Sequence, residues 1–104
     1  DPPRFLARTP HGHHDEQALA RDLLQGGFAA TPSIDTVAAR SRAASPLIPA
    51  MAYCQGTPLR NEIQARAGAT LAEATAAAAA AIEARFGSGA VDGKIQARVV
   101  AVRA

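Results

Sequence analysis

The closing segment from Lys94 to Arg103 constrains the fold more than any other stretch of the chain. Val99, Val100, Ala101 and Val102 are contiguous, and successive strand residues point to opposite faces, so an unbroken apolar run predicts a strand with packed layers on both sides. Such a strand belongs in the interior of a sheet. The only other strand-like stretch runs from Ser33 to about Arg42, with Ile34 and Val37 as its β-branched apolar members. Two strands are too few for an independently stable sheet, and a doubly covered strand needs a neighbour on each edge. The chain therefore reads as α/β with part of its sheet supplied from outside, by a second copy or by the rest of a larger α/β domain.

Between and before these strands the pattern is helical. Prolines and a glycine make the stretch from Asp1 to His14 irregular, with Phe5 and Leu6 as its sizeable apolar anchors. Asp15 is placed to cap a helix with Glu16 in its first turn, an apolar stripe of Leu19, Leu23 and Leu24, and a stop at Gly26-Gly27 from which Phe28 folds back. Ser45-Pro46 opens a short helix in which Pro49 still falls in the first turn. Gly56 ends that helix in a left-handed conformation, Thr57 caps the next, and Pro58 takes its first position, giving a second helix to about Ala67. Thr70 and Glu73 form a T-x-x-E capping box for a third helix. Leu71, Thr75, Ala78, Ile82 and Phe86 then follow at helical spacing, and Gly87 closes it. The run Ala76 to Ala81 gives that helix a smooth face for close approach.

A chain of 104 residues is one domain at most, and because 27 of them are alanine and only four aromatic, its core should be thin. Ten of the 11 basic residues are arginine, scattered singly with a net charge of +2, which is a poor nucleic-acid footprint. One cysteine excludes an internal disulfide and fits a reducing compartment. No apolar run approaches the roughly 20 residues of a membrane span, so a cytoplasmic protein is expected. The opening Asp1-Pro2-Pro3-Arg4-Phe5 carries no leader and reads as the middle of a protein.

Several motifs together resemble the C-terminal part of a class I S-adenosylmethionine-dependent methyltransferase. They are Arg8-Thr9-Pro10-His11-Gly12-His13-His14-Asp15, then Asp22-Leu23 with Gly27-Phe28, the corner from Tyr53 to Ile63, Ala84-Arg85-Phe86-Gly87, and Ile95-Gln96-Ala97. The resemblance implies a Rossmann-like sheet ending in a crossover helix, a strand, and a final antiparallel strand. Residues 1–104 would then be a single partial domain on the acceptor side, with residues 43–93 a helical insertion between the last two strands. Placed at the ligand-facing end of the sheet, that insertion would be a lid or substrate wall. The resemblance also implies S-adenosylmethionine as cofactor of the full-length enzyme and a small-molecule acceptor. The D-x-G-x-G loop that holds the cofactor is not in this sequence, so no cofactor is expected on this chain alone. The missing N-terminal half, or a second copy, is the expected partner, with no nucleic acid and no membrane.

On that resemblance His11, Tyr53 and Arg60 are the candidates for the acceptor pocket. The histidine segment reads first as a polar loop whose Asp15 caps the helix and second as the source of one histidine base, since the loop ahead of the crossover helix lies close to the acceptor site in the resembled enzymes. Arg60, with Asn61 and Glu62 at a helix start, reads first as a loop pin and second as an anion contact. The spacing of His11, His13 and His14 does not fit a helical metal pair, and no metal is expected. Cys54 reads as a small buried apolar residue. The rival reading is a stand-alone α/β binding or dimerisation module.

Overall fold

The computed structural model of the chain describes residues 3–104; Asp1 and Pro2, the start of the expected irregular segment, lie outside the described residues. The elements follow in the order α1 (Phe5–Arg8), a 3-10 turn (Pro10–Gly12), α2 (Glu16–Gln25), β1 (Ser33–Ala43), α3 (Leu47–Gly56), α4 (Leu59–Gln64), α5 (Leu71–Phe86) and β2 (Val91–Ala101). The strands pair in one two-stranded sheet. They run antiparallel: Arg40 reaches Asp92 near the end of β1 and Thr36 reaches Arg98 near its beginning. The chain is thus a mixed α/β protein. The described residues divide into two compact units, residues 3–5 with 40–93 and residues 6–39 with 94–104.

The first unit holds the buried core. Small side chains let α3 approach α5, with α4 against both. Ala50 and Cys54, one turn apart on α3, are 1% and 6% exposed, and Ile63 of α4, Val91 of β2 and Thr75 of α5 are also buried. The Thr75 hydroxyl donates to Leu71 O (2.8 Å) and accepts from Gln55 Nε2 (3.1 Å), so its burial leaves no polar atom orphaned. The expected stripe on α5 is the covered one from Leu71 through Ile82, while Phe86 at its end lies open beneath the Arg85 guanidinium. Thr70 caps α5 by accepting from the Glu73 N–H (3.1 Å), and Gly87 ends it at φ +91°, a conformation open to glycine and strained for other residues.

The corner between α3 and α4 is built differently from the sequence expectation. Gly56 is the last residue of α3 and does not take a positive φ. The break comes from Thr57, which swings to φ −124°, ψ 170°. Its hydroxyl donates to Tyr53 O (2.6 Å) and accepts from Leu59 N (3.2 Å), ending one helix and starting the next with a single side chain. Helix α4 stops at Gln64, short of Ala67, because the Ala65 and Arg66 N–H groups turn back onto Asn61 O and Ile63 O. At the strand end of this unit, Arg40 Nε donates to Asp92 Oδ1 (2.8 Å) and Arg42 stands 3.5 Å from Oδ2. The Arg40 hydrogen bond, helped by the charges of Arg40 and Arg42, holds the Asp92 carboxyl below its ordinary value.

The second unit contains α2 and the remaining lengths of both strands. Asp15 caps α2 by accepting from Gln17 N (2.9 Å) and Ala18 N (3.4 Å), and Phe28 N returns to Leu23 O (3.0 Å) after the Gly26-Gly27 stop. The segment before Asp15 is more ordered than prolines and a glycine suggested, since it forms α1 and the 3-10 turn. Pro10 opens that turn, where its missing N–H is not needed. Of the apolar stripe on α2, Leu19 and Leu23 are half-buried and Leu24 is 65% exposed, so the covered face is narrower than expected.

The closing strand departs most from expectation. Strand β2 begins at Val91, has one strand neighbour and lies at an edge instead of in an interior. Strand alternation puts Thr36 and Arg98 on one face of the ribbon, and Asp35, Val37, Ala39, Ile95, Ala97, Val99 and Ala101 on the other. All seven of the latter are exposed. No described residue of this unit is buried. The apolar pattern asks for two covered faces, and no element among the described residues covers this one.

Candidate functional site

The polar centre of the second unit is the turn between α1 and α2. Gly12 N donates to Thr9 O (2.9 Å) and His13 N to Pro10 O (3.1 Å), folding the turn back toward α1. Gly12 comes so close to Ala7 that an added Cβ would stand 2.9 Å from the Ala7 Cα and nearer still to its carbonyl oxygen, so only glycine fits. This fold presents His11, whose Nδ1 lies 3.2 Å from Thr9 Oγ1. The Thr9 hydroxyl also lies within hydrogen-bond reach of Leu6 O (3.3 Å). His13 Nε2 stands 3.4 Å from Asp22 Oδ2 on α2.

Arg98 of β2 secures the end of this turn. Its Nε donates to His14 O (3.3 Å), and its Nη1 to Glu16 Oε1 (3.0 Å) and to Thr36 Oγ1. One guanidinium therefore ties a loop, a helix start and both strands of the ribbon. Around it opens a hollow of about 820 Å³ whose polar lining includes Arg8, His11, His13, His14, Gln96 and Arg98. Of the three expected site residues, His11 lines this hollow. Tyr53 and Arg60 belong to the helical unit and are not among its lining residues; both are exposed, Tyr53 on α3 and Arg60 in the first turn of α4. Arg60 supports the corner through its backbone, with N donating to Thr57 O (3.1 Å).

Cys54 is buried in the helical unit beside a second, more apolar hollow that also meets Leu59 and Ile63. Among the described residues no three His, Cys, Asp or Glu side chains are grouped so as to hold a metal ion, and no helix is long and apolar enough to cross a membrane. Sequence reasoning missed Arg98 and Gly12. An arginine within a strand looks like a solvated residue until the distant partners it meets are known, and the need for Gly12 arises from a backbone contact that no local pattern encodes. No family model, curated protein or solved structure matches the chain.

Proposed function

We propose that this chain is the acceptor-side, C-terminal portion of an S-adenosylmethionine-dependent methyltransferase, in which the histidine turn contributes a wall for the methyl acceptor. The observation that carries the reading is the bare apolar face of the ribbon, from Val37 through Ile95 to Val99, in a unit that buries none of its described residues. A mainly apolar face of this kind gains stability when another layer covers it. The order of elements supports the same reading: a capped helix, a strand, three helices, and a last strand antiparallel to the first.

The residues present do not fit the cofactor. The two glycines with positive φ, Gly27 and Gly87, both close helices and neither sits in a D-x-G-x-G loop. Holding S-adenosylmethionine falls to the remaining part of the sheet, and this chain supplies acceptor contacts, with His11 the candidate that lines the hollow. Isothermal titration tests this division. S-adenosylmethionine should bind the product of the full coding sequence and give no heat with residues 1–104 alone. Binding to the isolated chain, or a discrete dimer that binds nothing and buries the ribbon face in sedimentation and exchange measurements, would replace this reading with that of a self-sufficient module.

A further inference from the structure

We infer that the apolar hollow of the helical unit, walled by α3, α4 and the start of α5, is a binding site for a small uncharged molecule with an aromatic body. The site belongs to the helical unit alone and does not rest on the methyl-transfer reading.

The space exists because the residues around it are small. A close-packed interior leaves few voids larger than a water molecule. Here Cys54 of α3, Leu59 and Ile63 of α4, Ala74 of α5 and the loop 65–69 surround about 860 Å³. That loop brings three alanines, a glycine and Arg66, so little bulk comes from it to fill the gap. Cys54 and Ile63 are 6% and 7% exposed, which makes the wall of the hollow continuous with the buried core of the unit. The volume falls within the roughly 300–1,000 Å³ of small-molecule sites, and a mainly apolar lining is the rule for them.

Charge decides the class of ligand. Among the described lining residues Arg66 is the one ionic side chain, and no carboxylate lines the hollow. The Arg66 guanidinium is engaged by the preceding turn, with Nη1 donating to Glu62 O (2.9 Å) and standing 3.9 Å from Glu62 Oε2. An anionic ligand group therefore gains no free cation, and a cationic one meets no acid. Either would give up hydration without a partner, whereas an apolar body gains by leaving water. The Cys54 sulfur and the branched ends of Leu59 and Ile63 favour a ring, because sulfur is polarisable and makes favourable contacts with aromatic edges.

The test is a methyl-resonance NMR titration of the chain with phenylbutanol, phenylbutyrate and phenylbutylammonium, which share one body and differ in charge. Phenylbutanol should shift the methyls of Leu59, Ile63 and Ala74 with a Kd on the order of 1 mM, the range open to a ligand of that size. The methyls of Val37, Ile95 and Val99 on the ribbon should stay in place, and neither charged compound should bind more tightly than the alcohol. Ala74→Leu, which adds carbon atoms to the lining, should weaken phenylbutanol binding about tenfold, equivalent to losing one or two buried methylenes. Should Ala74→Leu fail to fold, Ala69→Leu in the exposed loop serves as the second variant, with a loss in the same direction. Absence of any shift, shifts on the ribbon methyls as large as those in the hollow, a tenfold preference for phenylbutyrate, or unchanged affinity in the folded variant would each overturn the proposal. The titration contains no S-adenosylmethionine, so its outcome and that of the cofactor titration are read separately.

Discussion

Ile63→Ala should destabilise the helical unit by about 2–4 kcal/mol, the usual cost of truncating a buried isoleucine. Ile63 is only 7% exposed, and its buried companions are smaller: Ala50, Cys54, Thr75, Val91 and Pro46. The side chain lost is thus a large share of a thin core, and domains of this size are held by only about 5–15 kcal/mol in total. Short α4 has little else to hold it, because it spans Leu59–Gln64 and an isolated helix of that length does not persist in water. Urea denaturation followed by circular dichroism should show a lowered midpoint with loss of helix at low denaturant. Tyr53→Ala is the control. Tyr53 is 43% exposed on α3, so its truncation should change stability by less than about 1 kcal/mol. Equal effects from the two substitutions would mean that the core does not lie where α3, α4 and α5 meet.

Gly12→Ala should have the second large effect, and a local one. The added methyl overlaps the Ala7 carbonyl, which is backbone and cannot swing aside as a side-chain tip would. The 3-10 turn must move away from α1 at a cost of about 1–3 kcal/mol. That displaces His11 from Thr9 and opens the hollow that Arg98 helps close. Amide shifts in the variant should concentrate on residues 6–14 and Arg98, with the helical unit unchanged. An unperturbed turn in Gly12→Ala would show that the close approach to Ala7 is not a feature of the folded chain.

Much of the helical architecture was legible in the sequence, and for local reasons. Asp15 and Thr70 announce their caps by residue type and spacing, and both accept the N–H groups expected of them. The stop at Gly87 follows from the conformation only glycine takes easily. Cys54 is buried as its chemistry suggests. The misses share a cause, which is reach along the chain. Gly56 was given the role of helix stop from its identity, yet the Thr57 hydroxyl performs it through contacts on both sides. The run from Val99 marks a strand that ends at Ala101, one residue before Val102, but a periodicity argument says which faces want covering without saying what covers them. Arg98 joins positions as far back as His14 and Glu16, and nothing near it in sequence signals that task. The resemblance gave His11, Tyr53 and Arg60 one purpose, whereas His11 lines the hollow of one unit and the other two belong to the helical unit.

Hydrogen exchange along β2 is the most direct measurement of whether the sheet is incomplete. Paired with β1 alone, β2 has one edge without a strand neighbour among the described residues, so in residues 1–104 alone the outward amides between Lys94 and Ala101 should exchange rapidly, alternating with protected inward ones. In the product of the full coding sequence the same outward amides should become protected as a further strand pairs with that edge. Rapid exchange there in both proteins, or full protection in the isolated chain, would contradict the claim that the ribbon is the edge of a larger sheet.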